Sequence, residues 1–400
     1  MSSKNKKKWV RLRHKIVRNV AYAILGPISF IRYGLKIERM KEGRDRQYLI
    51  LYNHQTPFDQ FFVGMGFKRV VYYLASEDIF SKGWISSLLR YLVAPIPIKK
   101  QTTDVRAVMN CIQVAREGGS IAIAPEGNRT YTGKLVNINS AIVPLVKKLG
   151  LPIVLYRIEG GYGVHPRWSD VVRKGGMRAY TARVIEPEEY AMMSNDELYK
   201  AILEGLDTNE DTITGPYKHK RSAEYLERAI YYCPWCGFSS LESNLDVIEC
   251  KRCSRKVRHT PTKALVGLNC DFPYSTVSEW YDAQCAFVNK LDPLANTNDP
   301  IFTDTVSIDE VIVYKKKIRL TETATLSLYT DKIVIGESTL SFDEISSFAV
   351  LGRNKLNLYY NKKVYQIRGG KRFNALKYVN IFQRYNNVKK GEENVEFLGL

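Results

Sequence analysis

The sequence contains no apolar run long enough to cross a bilayer as a single helix. Its N-terminal apolar run covers thirteen residues, 19–31, lies between Arg18 and Arg32, and is interrupted by Gly26 and Pro27, whereas a transmembrane helix needs about 20 residues. No small-residue cleavage site of a secretory signal follows this run. A pair of interfacial or re-entrant helices is therefore favoured. The alternative is an N-terminal helix packed on its own domain.

Acidic residues are absent from the first 18 positions, which contain eight Lys and Arg. This segment therefore carries +8 of the formal net charge of +19. Such a segment binds anionic surfaces, either lipid headgroups or nucleic acid. Because it leads directly into the apolar run, lipid is favoured and no nucleic acid is expected as a partner. We predict that residues 1–46 form a basic amphipathic membrane-binding segment, at the cytoplasmic face of a membrane, in a peripheral or monotopic protein.

The scattered cysteine spacings of a disulfide framework are also absent. The chain has seven cysteines, an odd number, and four of them form two C-x-x-C pairs, Cys233 with Cys236 and Cys250 with Cys253. This usage indicates a reducing compartment. Since thirteen residues separate the pairs, close to the spacing of zinc ribbons, the four thiolates are predicted to bind one structural zinc ion within residues 229–262. Paired disulfides are the alternative.

The remaining domain organisation follows from the length and from changes in the hydrophobic pattern. Four hundred residues exceed one ordinary core, so two or three domains are expected. Strand-like and helix-like segments alternate from 47 to 206, which predicts an α/β domain with a mixed sheet flanked by helices. A linker (207–228), the zinc ribbon, a helical connector (263–300), a β-rich module resembling pleckstrin-homology (PH) or GRAM domains (301–388), and a tail (389–400) are predicted to follow.

Within the α/β region the pattern predicts six strands and five helices. The strands are expected at 48–52, 70–75, 94–98, 120–124, 152–158 and 177–184. The helices are expected at 58–67, 81–92, 103–117, 139–149 and 195–206.

A histidine and an aspartate lie at the junction between the first of these strands and the following helix. Thr56 is expected at the N-cap and Pro57 at the first helical position, so Asp59 becomes the third helical residue. From there its carboxylate can reach His54, fix the imidazole tautomer and stabilise the imidazolium, which makes His54 a candidate general base. The alternative is a capping box in which Asp59 only accepts backbone N–H groups.

Groups suited to an anion follow two other strands. The motif PEGNR comes after the strand SIAIA; its Gly127 lets the backbone approach a ligand, and Arg129 offers a planar fork for phosphate. Lys100 follows the strand at 94–98. Because ligands bind outside the carboxyl ends of strands in open α/β sheets, these groups and His54 are expected to meet at one site. A flexible loop is expected beside it at 159–163.

The order of these motifs, NH-x4-D, a strand ending in basic residues, PEG-x-R and a Pro-led apolar strand, resembles the glycerophospholipid acyltransferase family over residues 15–206. The resemblance is greatest to 1-acylglycerol-3-phosphate (lysophosphatidic acid) acyltransferases. It implies that His54 is the general base and Asp59 its partner. It also implies an acceptor-binding set of Lys100, Glu126, Gly127, Asn128 and Arg129. Lys and Asn occupy positions where the family commonly has Arg and Thr, which leaves the acceptor open.

The resemblance further implies acyl transfer from an acyl thioester, acyl-CoA or acyl carrier protein, to a lysophospholipid hydroxyl. No Ser or Cys lies where a nucleophile would be activated, so direct transfer without an acyl-enzyme is predicted. The expected partners are membrane lipids, the acyl donor and the lysophospholipid acceptor, with structural zinc and no redox or organic cofactor. Two alternatives remain, a nucleic-acid-binding zinc-ribbon protein and a non-catalytic family member that only binds lipid.

Overall fold

The computed structural model describes residues 8–40, 43, 45–98, 104–213, 215–293, 299–312 and 315–392. Of the residues predicted to form the site, Lys100 lies outside these ranges. The described residues form two seven-stranded sheets, one four-stranded sheet and one two-stranded ribbon.

A mixed sheet organises the first half of the chain. Its strands are β1 (Leu35–Ile37), β2 (Leu49–Tyr52), β3 (Val71–Ser76), β4 (Ile96–Ile98), β5 (Ser120–Ile123), β6 (Ile153–Glu159) and β7 (Met177–Ile185). They lie in the order β1-β7-β6-β2-β5-β3-β4. The strands from β6 to β4 are parallel, β7 is antiparallel to β6, and β1 is parallel to β7. Every residue of β2 and β5 is buried, as expected of parallel strands covered on both faces. The predicted mixed α/β sheet is therefore confirmed.

Helices flank this sheet and connect its strands. In the described residues they are α1 (Leu12–Tyr33), α2 (Asp59–Met65), α3 (Trp84–Leu92), α4 (Val105–Arg116), α5 (Ile142–Leu149), α6 (Gly161–Val164), α7 (Pro187–Ala191) and α8 (Asn195–Leu206). The six strands and five helices predicted for this region are present, with ends within a few residues of those expected. The structure adds β1, α6 and α7, which are too short to produce a periodic pattern.

The predicted break in the N-terminal helix is corrected. Instead of a helix pair separated at Gly26 and Pro27, α1 is one continuous helix that contains Pro27. Proline removes one backbone hydrogen bond, but tertiary packing holds the turns on both sides of it. The buried His14 contacts the Tyr72 hydroxyl at 3.0 Å near one end, and Tyr33 is buried at the other. No helix among the described residues combines the length and the apolar character that a bilayer span requires.

A small antiparallel unit follows the mixed sheet, and we call it the cysteine module. It consists of the ribbon β8 (Tyr232–Cys233) and β9 (Gly237–Phe238) and the sheet β10 (Leu241–Asn244), β11 (Val247–Cys250), β12 (Lys256–His259) and β13 (Leu265–Gly267). Helix α9 (Val277–Asn289) comes next. The strands of the sheet pair in sequence order.

A second seven-stranded sheet, the C-terminal sheet, is antiparallel throughout its described pairings. Its strands are β14 (Phe302–Glu310), β15 (Ile318–Leu328), β16 (Lys332–Ile335), β17 (Ser338–Ser341), β18 (Ile345–Leu351), β19 (Lys355–Tyr360) and β20 (Lys363–Gly369), and α10 (Leu376–Lys389) packs against it. One apolar core continues from the cysteine module through α9 into this sheet. These segments therefore pack together, and the predicted domain boundaries stay predictions.

Candidate active site

His54 and Asp59 meet where β2 ends and α2 begins. Nδ1 of His54 lies 2.8 Å from Oδ2 of Asp59, whose side chain is fully buried, while the His54 side chain is 15% exposed. The same carboxylate accepts the backbone N–H groups of Gln55 at 2.6 Å and Thr56 at 2.8 Å, and the Thr56 hydroxyl at 2.5 Å. When Nδ1–H donates to Asp59, Nε2 is the basic nitrogen. Asp59 thus both closes the turn and orients the imidazole.

The helix start differs from the predicted one. Helix α2 begins at Asp59 with Phe58 at the cap position, so Thr56 is not the N-cap and Asp59 is the first helical residue rather than the third. The Thr56 hydroxyl donates to Asp59 and accepts the backbone N–H of Phe58 at 3.2 Å. These local bonds close a turn before the helix and delay its start.

Glu126 connects the loops that carry the histidine and the arginine. One of its oxygens accepts the backbone N–H of His54 at 2.6 Å, and the other accepts that of Val136 at 3.1 Å. The backbone N–H of Thr130 donates to the His54 carbonyl at 3.0 Å. Burial raises the pKa of Glu126 to about 8, against the effect of the two backbone donors. Both oxygens thus have backbone partners, and this geometry supports a role in holding the loops together.

The PEGNR loop presents a buried cation. Gly127 has a φ of +69°, a left-handed conformation that favours glycine. The Arg129 side chain is 8% exposed, and its Nη1 has no hydrogen-bond partner among the described residues. Burial, followed by the charge of Arg167, lowers the Arg129 pKa to about 9. A buried guanidinium with an unused donor suits a bound anion.

Asn128 faces a residue that the sequence did not single out. Its Oδ1 accepts from Nη2 of Arg167 at 3.3 Å, and Nη1 of Arg167 donates to the Arg129 carbonyl at 2.8 Å. The Arg167 guanidinium also lies over the Tyr131 ring, 4.3 Å from its centroid. Arg167 is fully buried. Neither periodicity nor a motif marks an arginine as buried, so the sequence contained no signal for this contact.

The strand order decides which loops are neighbours. Strand β2 lies between β6 and β5, so the loops after these three parallel strands are neighbours at the carboxyl ends of the strands. Strand β4 is at the sheet edge, beyond β5 and β3, or about 14 Å from β2 at ~4.8 Å per strand. Lys100 follows β4 and lies outside the described residues, and its predicted contact with the acceptor stays a prediction.

The loop predicted at 159–163 is corrected. Residues 161–164 form the short helix α6 and are all buried. The backbone N–H of Gly160 donates to Oε1 of Glu210 at 2.6 Å, and that of Tyr162 donates to Oε1 of Gln55 at 3.0 Å. These bonds from distant side chains fix a glycine-rich segment that would be flexible by its composition.

The four cysteines of the two C-x-x-C pairs come together in the cysteine module. The sulfur atoms of Cys233, Cys236, Cys250 and Cys253 all lie within 4.8 Å of one another. The Cys233 and Cys253 sulfurs are 3.8 Å apart, which equals the separation of about 3.8 Å expected for tetrahedral ligands ~2.3 Å from a zinc ion. In the described part of the chain this is the one group of three or more metal-ligating side chains so close together. It could hold a metal ion.

Comparisons with known proteins bear on the region that contains the His54 and Arg129 loops. Residues 35–158 match the sequence profile of the family described as Acyltransferase. The chain is 22% identical over 195 residues to the 1-acyl-sn-glycerol-3-phosphate acyltransferase of Bacillus subtilis (strain 168), an alignment that covers 48% of this chain and 92% of that protein. It is 23% identical over 184 residues to the chloroplastic 1-acyl-sn-glycerol-3-phosphate acyltransferase LPAT1 of Arabidopsis thaliana, covering 44% of this chain and 50% of that protein.

Among solved structures, the chain is similar to the crystal structure of the 1-acyl-sn-glycerophosphate acyltransferase PlsC from Thermotoga maritima. The TM-score is 0.40 at 22% identity, and the alignment covers 49% of this chain and 80% of that one.

Proposed function

We propose that this chain, whose residues 35–158 match the acyltransferase family, moves a fatty acyl group from an acyl thioester to the free hydroxyl of a lysophospholipid. The proposed acceptor is 1-acylglycerol-3-phosphate, and the product is then phosphatidic acid. The observation that carries the proposal is the His54–Asp59 pair beside the loop of Arg129. A base and a buried cation meet here at the carboxyl ends of neighbouring parallel strands.

The reaction follows from this geometry. Nε2 of His54 removes the proton from the acceptor hydroxyl while Asp59 stabilises the imidazolium that forms. The acceptor oxygen attacks the thioester carbonyl, the carbon–sulfur bond breaks, and His54 returns the proton to the departing thiolate. Arg129 binds the acceptor phosphate and thereby orients the hydroxyl toward His54. The acyl donor is acyl-CoA or acyl carrier protein, and transfer is direct.

Arg129→Ala is expected to raise KM for the phosphorylated acceptor with a smaller effect on kcat. The guanidinium is proposed to hold the acceptor phosphate and not to move a proton, so its loss removes binding rather than proton transfer. A charged hydrogen bond contributes about 1.5–3 kcal/mol, which corresponds to a rise in KM of roughly tenfold to a hundredfold. Initial rates over a range of acceptor concentrations measure it. An unchanged KM would remove Arg129 from the acceptor site.

A membrane surface is the proposed place of the reaction because both substrates carry acyl chains. Helix α1 exposes a stripe of large apolar side chains four residues apart: Leu12, Ile16, Val20, Ile24 and Ile28. The neighbouring α3 exposes Trp84 and Leu88. The two helices are in contact, since Nε of Arg13 donates to the Tyr91 carbonyl at 2.8 Å. Exposed apolar side chains next to basic ones suit an anionic lipid interface.

The double substitution Ile24→Gln with Ile28→Gln is expected to weaken binding to anionic liposomes by about tenfold or more, since each side chain loses apolar burial in the lipid. Both side chains are more than half exposed, so the fold should not change. Flotation on a density gradient measures the bound fraction. The matched control is Val266→Gln with Leu268→Gln, two exposed apolar residues of the cysteine module. Equal flotation of the two double variants would contradict the proposed lipid contact.

The function itself is tested by mass spectrometry of the lipids that purified protein forms from a panel of lysophospholipids with acyl-CoA or acyl carrier protein. Phosphatidic acid is expected from 1-acylglycerol-3-phosphate. Gel shifts with random DNA and RNA, run beside flotation, test the nucleic-acid alternative. Tight nucleic-acid binding without flotation or turnover would overturn the proposal, and flotation without turnover would favour a lipid-binding protein.

Two further parts of the proposal concern the C-terminal half. We propose that the four-cysteine cluster binds zinc in a structural role, because four sulfur ligands leave no position for substrate. The C-terminal sheet with α10 is proposed to be a PH- or GRAM-like module, a reading supported by its antiparallel strands closed by one helix.

A further inference from the structure

The turn between β18 and β19 of the C-terminal sheet lies against the PEGNR loop. Arg167 connects them with a single guanidinium. Its Nε donates to the Gly352 carbonyl at 2.9 Å and its Nη2 to the Val350 carbonyl at 3.2 Å. On its other side the same group donates to the Arg129 carbonyl at 2.8 Å. The loop that carries the buried Arg129 is therefore held by a turn about 220 residues further along the chain.

Arg353 follows Gly352 in that turn, and its guanidinium bonds to two residues that come after β6. Its Nη1 lies 2.8 Å from Oδ1 of Asp170 and its Nη2 lies 3.1 Å from Nε2 of His165. Nδ1 of His165 is 3.2 Å from the hydroxyl oxygen of Tyr33, the last residue of α1. The Arg353 side chain is 33% exposed, so a ligand can reach it.

The direction of these bonds is set by the charge state of the histidine. Burial lowers the His165 pKa to about 3, and the charges of Arg129 and Arg353 contribute. The imidazole is therefore neutral near pH 7; Nε2 accepts from Arg353, and Nδ1–H donates to the Tyr33 oxygen. This leaves the Tyr33 hydroxyl proton for another acceptor. Arg353 directly follows Gly352, and the guanidinium that binds the Gly352 carbonyl also binds the Arg129 carbonyl, so Arg129 and Arg353 come from adjacent loops.

Positive charge exceeds negative charge around the Arg129 guanidinium. Arg129, Arg167 and Arg353 are close enough that the last two lower the pKa of the first. Of the nearby carboxylates, Asp170 is shared between Arg353 and Arg228, which lies 2.7 Å from it, and Asp59 is bonded to His54. A buried cation without an anionic partner is costly. An anionic ligand would offset that cost.

We infer that Arg353 is a second binding residue for the phosphate of the acceptor, and that the acceptor site is complete only when the C-terminal sheet is in place. The inference rests on the proposed function for the identity of the ligand. Arg129 and Arg353 hold the phosphate from two sides, one from the mixed sheet and one from the C-terminal sheet. Tyr33 donates its hydroxyl proton to the same group. The C-terminal sheet therefore contributes to the selection of phosphorylated acceptors.

Arg353→Gln tests this role through the separate kinetic constants. The expected result is a KM for 1-acylglycerol-3-phosphate that rises about tenfold, with kcat and the KM for the acyl donor unchanged. Arg353→Lys keeps the charge but loses the planar fork, and its KM should lie between those of the wild type and the glutamine variant. A lower kcat together with a change in both KM values would mean that Arg353 only holds the sheet in place. That result would overturn the inference. A change confined to the donor KM would overturn it as well.

The matched control is Arg372→Gln. Arg372 also bridges segments, since it pairs with Glu227, just before the cysteine module, and with Glu242 of β10. It is similarly exposed, and neither partner belongs to the proposed site. Its acceptor KM should equal that of the wild type. An acceptor KM raised as much as in Arg353→Gln would assign the effect to a general loosening of the C-terminal sheet and overturn the inference.

Binding measured without turnover separates this inference from the proposed function. Isothermal titration of the full chain with glycerol 3-phosphate, and with inorganic phosphate, should give about tenfold weaker binding for Arg353→Gln than for wild type. If the wild type turns over no lysophospholipid but this difference is present, the proposed function fails and the anion site stands. Equal binding by the two proteins overturns the inference even if the wild type is active. A difference seen with inorganic phosphate but not with glycerol 3-phosphate would also overturn it.

Discussion

His54→Ala is expected to lower kcat for acyl transfer by roughly 10²- to 10⁴-fold, the usual contribution of a general acid–base residue. The variant loses the nitrogen that is proposed to take the hydroxyl proton and return it to the thiolate. The Asp59 carboxylate keeps its bonds to the backbone N–H groups of Gln55 and Thr56, so the turn before α2 should persist. Steady-state rates with saturating donor and acceptor measure the loss.

Circular dichroism and a thermal melt show whether that variant is folded. His219→Ala is the matched control, because His219 is bonded to the backbone N–H of Arg221 and has no proposed role in the reaction. A His54→Ala protein that turns over at the wild-type rate would refute the assignment of the base. Asp59→Asn is a weaker test, since the amide cannot accept the same bonds and the turn itself would be disturbed.

Removal of one of the four clustered cysteines, the proposed zinc ligands, is expected to have the largest effect on stability. Structural zinc contributes about 10 kcal/mol or more to the folding of small zinc domains, and the apolar core of the cysteine module continues into the C-terminal sheet. Cys250→Ser should therefore lose the metal and unfold at a lower temperature. Elemental analysis by mass spectrometry is expected to find about one zinc per chain in the wild type, and calorimetry measures the change in Tm.

Cys270→Ser is the control for that experiment, since Cys270 lies in the same region but outside the group of four sulfurs. It should keep its zinc. The alternative of paired disulfides makes a different prediction, in which the wild type contains no metal and the four thiols react with an alkylating reagent only after reduction. That outcome would rule out the zinc site.

Features that depend on neighbouring residues could be predicted from the sequence. The strands and helices between residues 47 and 206 follow from hydrophobic patterns of a few residues, and they are present near the predicted positions. The contact between His54 and Asp59 depends on a segment of six residues and is also present. The convergence of the four cysteines is a third example. The catalytic and zinc-binding roles of these residues stay predictions.

Predictions from local patterns were wrong where side chains distant in the sequence determine the backbone conformation. The continuous α1 depends on packing against the mixed sheet, which outweighs the effect of Pro27. The glycine-rich residues after β6 form a buried helix because Gln55 and Glu210 accept their backbone N–H groups. Helix α2 begins later than predicted because the Thr56 hydroxyl donates to the Asp59 carboxylate instead of capping the helix. In each case the competing contact is not visible in the segment itself.

By itself the sequence determined the His54–Asp59 pair, the PEGNR cation and the cysteine cluster, because each is built from residues close together in the chain. Only the tertiary structure decided that β2 lies between β6 and β5, which brings those loops to one edge. It also decided the surroundings of Arg129, where Arg167 and Arg353 make contacts over more than 180 residues of sequence. Buried arginines follow no periodic pattern, and their partners are set by how the sheets pack.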